Sequence, residues 1–268
     1  MMNFASQELN DWRESNNYFE FSSATSETKL KSRIDMGKLF TDKLCIPSTE
    51  AQVNRPRLIE HLQKSSAQFS ATLITGRTGM GKTTLAAEFA KQSHYQLAWY
   101  KVDTADSDWN VFSSYLSGSV NQFNSGGELL EFDSEAMEVS SASEFLAAQF
   151  AVAAKEKPLL IVLDDLHSVF DADWFTEFFH SFVPSLAPNV HLLLIARTAP
   201  PLPLWRLRSK QVLGVMDEKL LTFTLNEAIE LFSKYELSPA VARSAYKRTY
   251  GRISKLKEIA EKKCFCKV

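Results

Sequence analysis

The sequence LITGRTGMGKTTL occupies residues 73–85. Three of the chain's nine glycines lie within six positions of it, and a lysine and two threonines follow directly. The segment from Gly76 to Thr83 matches the pattern G-x-x-x-x-G-K-[ST] at every fixed position. Glycine tolerates positive φ, so successive backbone N–H groups can turn towards one anion, and a helix that begins near Lys82 adds the positive end of its dipole. The stretch therefore predicts a loop that binds phosphate.

Each polar position of this loop has an expected role in binding a nucleotide. We expect Lys82 to reach the β- and γ-phosphates, the Thr83 hydroxyl to bind Mg²⁺, and Thr84 to add a contact to the α-phosphate. A glycine-rich turn that matches by chance is the alternative, but a strand pattern before the loop and a helix pattern after it argue against that. The complete set of expected nucleotide contacts from the loop is Gly76, Arg77, Thr78, Gly79, Met80, Gly81, Lys82, Thr83 and Thr84.

Short apolar runs alternate with helical patterns on both sides of the loop. Continuous apolar runs of this kind are typical of a parallel sheet that is buried on both faces. The expected fold class is therefore α/β, a three-layer P-loop NTPase with a parallel sheet of strand order 5-1-4-3-2 and a C-terminal helical subdomain. The strands are expected at residues 71–75, 96–102, 158–165, 190–196 and 212–216.

The domain organisation follows from the same patterns. Residues 1–42 are rich in serine, asparagine and charge without a clear period, which indicates a polar extension and a candidate for disorder. Residues 43–218 are expected to form the P-loop NTPase domain, and residues 219–268 the helical subdomain. Residues 47–56 resemble a linker, and the polar, acidic residues 121–142 are expected to form a loop or insertion.

Two acidic residues, Asp164 and Asp165, follow the apolar run LLIVL. We expect Asp164 to hold Mg²⁺ and Asp165 to polarise the attacking water; aspartate is shorter than glutamate, which favours slow hydrolysis. Arg197 ends the strand that neighbours the P-loop strand in such a sheet, so its guanidinium could report the γ-phosphate. The alternatives are acids that cap a strand and an arginine in a structural ion pair. His167 could be a sensor or a residue at a helix start, and the sequence leaves that open.

Net charge, cysteine count and the length of the apolar runs limit the classes of protein to which this chain can belong. The formal net charge is -2, so the chain as a whole is neither a polyanion nor a polycation. Residues 102–154 carry nine acidic residues and no lysine or arginine, whereas residues 242–268 carry nine basic residues and two glutamates; solvated helix faces explain such asymmetry more often than interaction tails do. Three cysteines, two of them at positions 264 and 266, do not form a disulfide framework. The start lacks a signal-peptide pattern and the apolar runs are too short to span a bilayer, so we expect a cytoplasmic protein.

Several blocks of this chain resemble the nucleotide-binding region of MalT-like STAND ATPases, which are LuxR-type, ATP-dependent transcription activators. The blocks are VNRPRLIEHL, LITGRTGMGKTTL, LAWYKVDTADSDWNVFSSYL, LIVLDDLH, ARTAPPLPLWRLRSK and LLTFTLNEAIELF. The resemblance covers about residues 43–260. The P-loop is generic, but D-D-x-H and the run from Arg197 to Arg208 are far more specific.

The resemblance implies a switch. In the family, ADP holds a resting monomer, whereas inducer plus ATP opens it and drives self-association. Carried over residue by residue, Val53, Asn54 and Arg55 would lie near adenine, and Arg197 would sense the γ-phosphate. Family members continue into a winged-helix domain, a helical sensor and a DNA-reading helix-turn-helix, and Arg252 stands where the family has tryptophan. Direct DNA binding by this chain alone is therefore not expected.

Four functional hypotheses follow. The favoured one is a signalling ATPase that binds ATP or ADP with Mg²⁺, hydrolyses ATP slowly and controls association with a partner or with itself in transcription regulation; adenine is favoured because no guanine-reading N/T-K-x-D element occurs. The second is a P-loop kinase acting on a small substrate, for which residues 121–142 offer no obvious substrate lid. The third is a non-specific nucleic-acid-binding ATPase that uses the basic C-terminal stretch. A remnant of a longer regulator, with a nucleotide site but no output, also remains open.

Overall fold

Five parallel strands form one sheet in the order β2-β3-β4-β1-β5. Their bounds are β1 (Ala71–Thr75), β2 (Gln96–Lys101), β3 (Leu159–Asp164), β4 (Val190–Ala196) and β5 (Leu213–Met216). The computed structural model describes residues 41–49, 51–120 and 137–265. The predictions for residues 1–40, for most of the acidic loop and for Cys266 lie outside the described residues. The predicted fold class and strand order are confirmed.

Strands β3 and β4, at the centre of the sheet, explain why the sequence contains unbroken apolar runs. Every residue of β3 and of β4 is buried, because helices cover both faces of the sheet. The P-loop strand β1 lies between β4 and β5, with Leu73 opposite Leu194 on one side and Val215 on the other. This order brings the carboxyl ends of β1, β3 and β4 together at one edge of the sheet, where parallel α/β sheets bind their ligands.

Helices connect the strands and continue beyond the sheet. Around the sheet they are α1 (Pro56–Gln68), α2 (Lys82–Gln92), α3 (Trp109–Gly118), α4 (Val139–Ala153), α5 (Phe175–Phe182), α6 (Trp205–Ser209) and α7 (Glu218–Leu221). The last three described helices are α8 (Leu225–Ser233), α9 (Pro239–Thr249) and α10 (Ile253–Phe265). No helix in the described ranges is long and apolar enough to cross a membrane.

The sheet is packed between two apolar clusters. Helices α3, α4 and α5 bury an aromatic cluster on one face, in which the Phe112 and Trp174 rings lie 4.5 Å apart and Phe178 contacts both. Helices α1 and α2 pack on the other face through residues such as Leu58 and Phe89. The aromatic residues of α5 are thus core residues, which supply the bulk that a helix packed on a sheet requires.

The C-terminal helices have a cluster of their own. Phe232 of α8, Ala242 of α9 and Leu256 of α10 are fully buried in it, and Val53 reaches it from the segment before α1. The predicted helical region after the sheet is therefore observed. The boundary at residue 218 stays a prediction.

Two local predictions were wrong, and one feature was missed. Helix α4 begins at Val139, so residues 139–142 are helical rather than loop, with Ala142 and Ser143 buried. The stretch at residues 47–56 is not a free linker, because contacts with distant parts of the chain bury Val53 and Arg55 to 2% and 3% exposure. The short helices α6 and α7 were not predicted, since five and four residues are too few to show a period.

Candidate functional site

The P-loop joins the end of β1 to the start of α2, as the sequence predicts. Gly79 and Gly81 have φ values of 80° and 74°, a left-handed conformation that strains any residue with a Cβ. Gly76 and Met80 are buried, whereas Arg77, Thr78 and Gly79 are exposed. Gly79 and Gly81 are therefore needed for this backbone path, and a path of this kind can turn N–H groups inward around an anion.

Lys82 lies under this loop. Its side chain is 7% exposed, and its ammonium group donates to the carbonyl oxygens of Gly76 at 2.5 Å and Arg77 at 3.1 Å. Burial lowers the pKa of Lys82, and the nearby charges of Asp165 and Asp164 oppose that shift. The ammonium group is thus held at the loop by backbone carbonyls, in the position from which it can reach phosphate oxygens.

Thr83 and Asp164 meet directly. The Thr83 hydroxyl donates to both carboxylate oxygens of Asp164, at 3.0 Å and 3.1 Å. Burial raises the pKa of Asp164 to about 6, and the adjacent charge of Asp165 adds to that effect. A hydroxyl and a carboxylate at the mouth of a phosphate loop are the oxygen ligands that Mg²⁺ prefers, so these two residues fit the predicted ion.

The residues expected to act on the γ-phosphate follow strands β3 and β4, at the same edge of the sheet as the loop. Asp165 follows β3 with φ 58°, and its carboxylate lies 3.8 Å from the Nδ1 atom of His167. Arg197 follows β4, is exposed and forms no salt bridge within the described residues. Burial lowers the pKa of both Lys82 and His167, and the positive charge of Arg197 adds to the lowering in each case.

The three residues expected near adenine have different surroundings. The Arg55 guanidinium is buried, donates from Nη2 to the Gly81 carbonyl oxygen at 3.2 Å and lies 5.8 Å from the Phe223 ring. Its Nη1 atom is buried without a hydrogen-bond partner. Val53 packs among the C-terminal helices, and Asn54 is exposed. Arg55 thus joins the P-loop, while the adenine contacts stay predictions, as does the role of Thr84, which is partly exposed on α2.

The sequence did not indicate two residues that contact the loop, Glu218 and Ser254. The guanidinium of Arg77 pairs with the carboxylate of Glu218, which also accepts from the Arg77 backbone N–H at 3.1 Å. A Cβ on Gly79 would come within 2.8 Å of the Ser254 Cβ, so α10 lies directly against the loop. Glu218 stands 141 positions from Arg77, and no local pattern signals either contact.

Comparison with known proteins agrees with this geometry. A family described as the AAA ATPase domain matches residues 54–195. The chain belongs to this family. Among the curated proteins that it resembles are the HTH-type transcriptional regulators MalT of Serratia proteamaculans, 35% identical over 70% of the chain, and of Yersinia enterocolitica, 31% identical over 67%. The chain spans about a fifth of the length of these relatives, 21% and 20%.

A solved structure shows the same fold. The STAND protein with a tetratricopeptide repeat sensor from Pyrococcus horikoshii superposes with a TM-score of 0.61 at 19% identity, over 78% of this chain and 30% of that one. The resemblance of this AAA ATPase domain to the nucleotide-binding region of MalT-like STAND proteins is therefore confirmed.

Proposed function

We propose that this AAA ATPase domain binds ATP and ADP with Mg²⁺ at its P-loop and hydrolyses ATP slowly. In this proposal the nucleotide state controls association with a partner protein or with another copy of the chain, in transcription regulation. The observation that carries the proposal is the arrangement of Lys82, Thr83 and Asp164: an ammonium group under the glycine loop, beside a hydroxyl that contacts a buried carboxylate.

The chain's own groups divide the work of binding. The N–H groups of the loop and the Lys82 ammonium would neutralise phosphate oxygens, and Thr83 with Asp164 would hold the metal ion. When bound, Mg²⁺ supplies positive charge that offsets the charge of the phosphates. The hydrogen bonds between the Thr83 hydroxyl and Asp164 support this assignment, because they bring the two oxygen ligands together.

Hydrolysis and sensing are assigned to the two residues beyond the loop. Asp165 would orient the attacking water, and its short side chain favours slow turnover. Arg197, which has no salt-bridge partner within the described ranges, would gain one in a γ-phosphate and lose it in ADP. A difference in contacts between the two nucleotides is what a switch requires.

The proposed role in transcription regulation is supported by the relatives rather than by the fold. The two curated relatives are transcriptional regulators, and this chain matches about a fifth of each. The likeness to the Pyrococcus protein supports the fold only. Transcription regulation and association with a partner therefore enter as parts of the proposal.

Calorimetry with a matched pair of variants tests the proposal. Lys82→Ala removes the ammonium group under the loop, while Lys91→Ala removes an exposed lysine from the same helix. We expect the first to weaken ATP binding roughly tenfold or more and the second to leave it unchanged, because charge-assisted contacts to phosphate are strong. Equal ATP affinity in Lys82→Ala and the wild type, with both folded by circular dichroism, would remove the basis of the proposal.

A further inference from the structure

A groove of about 960 Å³ follows the open edge of strand β5, at the far side of the sheet from β2. Helix α1 and the residue after it supply one wall, with Lys64 and Phe69. Helix α6 supplies the other, with Trp205 and Arg208. None of the residues assigned to nucleotide binding lines this groove, so it is a separate surface.

The floor of the groove is a strand edge with free backbone groups. Among the described residues, β5 pairs with β1 and with no other strand. The Ala71 N–H donates to the Val212 carbonyl oxygen, and backbone groups alternate between the two sides of a parallel strand. Leu213 and Val215 therefore turn their N–H and C=O groups towards the groove. An extended peptide can pair with such an edge.

The walls carry positive charge without acidic partners. Residues 197–216 contain four basic residues and no aspartate or glutamate. Glu60 is the acidic residue of α1, one turn before Lys64, and it forms no salt bridge with that lysine. Within the described residues, no salt bridge involves any of the basic residues at the groove and its continuation past Trp205, which are Lys64, Arg206, Arg208 and Lys210. The complementary occupant is anionic.

Aromatic rings lie beside these cations on both walls. Trp205 is 65% exposed, and the Arg206 guanidinium lies 5.4 Å from its ring centroid. Phe69 is partly exposed on the opposite wall. An exposed tryptophan in a groove is the kind of side chain that anchors a partner. The occupant that suits the groove is thus an extended peptide with both acidic and apolar side chains.

The chain contains one sequence with these properties, ELLEFDSE at residues 128–135, which lies outside the described residues. It has four acidic residues and no basic one. In an extended peptide, Glu131, Asp133 and Glu135 share one face, and Leu130 and Phe132 share the other. Each wall of the groove has a cation and an aromatic ring. The acidic face of the extended peptide can therefore lie against either wall, with its apolar face against the other.

We propose that the β5 groove binds residues 128–135 of a second copy as an added strand. The described flanks of that sequence are Val120 after α3 and Met137 before α4, and both helices pack on the sheet face opposite α1. From β2 to β5 is four strand spacings, roughly 19 Å. Glu135 lies two residues before Met137, a reach of roughly 7 Å, so this separation favours a neighbouring copy. The contact is head to tail, so it propagates into a chain or closes into a ring.

A labelled peptide tests the groove directly. Fluorescence anisotropy would follow the binding of a synthetic peptide of residues 128–135 to the full chain without nucleotide. We expect Arg208→Glu and Lys64→Glu to weaken binding roughly fivefold or more, and Lys247→Glu on α9, an exposed residue outside the groove, to leave it unchanged. A peptide with its acids replaced by amides should not bind. Equal affinity for Arg208→Glu and Lys247→Glu would overturn the proposal.

Complementation between variants tests the second copy. In sedimentation velocity with a non-hydrolysable ATP analogue, the wild type should assemble with concentration, whereas Arg208→Glu and the double variant Glu131→Lys, Asp133→Lys should each stay monomeric. Mixing the two should restore dimers, since one variant keeps an intact groove and the other an intact acidic sequence. Assembly of either variant as in the wild type would overturn the proposal.

Two further outcomes would replace it with another occupant. In the first outcome the wild type stays monomeric and does not bind the peptide, whereas the double variant Glu131→Lys, Asp133→Lys binds it. That result would show that residues 128–135 occupy the groove of their own chain. Binding of an eight-nucleotide single strand in place of the peptide would identify a nucleic-acid surface.

The inference deepens the association part of the proposed function, and the two can fail separately. Peptide binding is measured without nucleotide, and ATP binding by Arg208→Glu is measured by calorimetry. If Arg208→Glu loses peptide binding but keeps its affinity for ATP, the effect is confined to the groove. A loss of ATP affinity in Lys82→Ala tests the P-loop and leaves the groove proposal untouched.

Discussion

Replacing Asp164 with asparagine should stabilise the nucleotide-free protein at pH 8, although Asp164 is assigned to the site. The Asp164 side chain is 2% exposed, and burial, with the charge of Asp165, raises its pKa from 3.8 to about 6. A carboxyl group with a higher pKa in the folded state holds its proton more tightly there. Its favourable contribution to stability is therefore present at low pH and is lost as pH rises from about 4 to about 6.

The size of the effect follows from the shift. A rise of about two pKa units corresponds to roughly 3 kcal/mol lost on ionisation. Asparagine is isosteric and uncharged, and its amide oxygen can still accept hydrogen bonds from the Thr83 hydroxyl and from the backbone N–H of Asp165. We allow roughly 1 kcal/mol for the weaker hydrogen bonds. The expected net gain at pH 8 is about 1–2 kcal/mol, or roughly 2–8 °C in Tm.

Urea unfolding without nucleotide, in EDTA, measures this gain. It should fall to nearly zero at about pH 4.5, where the wild-type carboxyl group is protonated in the folded state. The control is Asp171→Asn, an exposed acid in the turn after β3, which should change stability by less than about 0.5 kcal/mol at either pH. Destabilisation by Asp164→Asn at pH 8 would contradict this prediction, because it would show that the ionised carboxylate stabilises the folded protein at the end of β3.

Three further changes address the neighbours of the loop. Arg197→Ala should lower the affinity for ATP more than that for ADP in calorimetry; equal losses would exclude a γ-phosphate sensor. Glu218→Gln should tighten ATP binding by about threefold, because it removes a negative charge near Lys82 and releases Arg77; weaker binding would contradict that. Gly79→Ala should destabilise the protein by roughly 1–2 kcal/mol in urea, since its φ is 80° and its Cβ would meet Ser254; unchanged stability would show that the loop adapts.

Sequence patterns predicted where the contiguous parts of the candidate site lie in the fold. The P-loop and Asp164 were identified because each stands at the end of an apolar strand, and parallel strands bring those ends together. The strand order also followed, since it is common to sheets with this loop. In these cases one stretch of residues carries both the structural element and its functional group.

The contacts that join distant segments were not predictable from one sequence. Glu218 lies in a four-residue helix, too short for any periodicity, and it meets Arg77 across 141 positions. Arg55 lies in a stretch with the composition of a linker, yet the P-loop and the C-terminal helices bury it. Such burial depends on the packing of the whole chain, which local composition does not encode.

Titration of ATP into the nucleotide-stripped protein, with Mg²⁺ and again in EDTA, shows whether the P-loop is a nucleotide site. We expect binding at one site that weakens markedly without Mg²⁺ and is lost in Lys82→Ala. Absence of ATP binding to the folded wild type, or binding that is indifferent to both Mg²⁺ and Lys82, would contradict it.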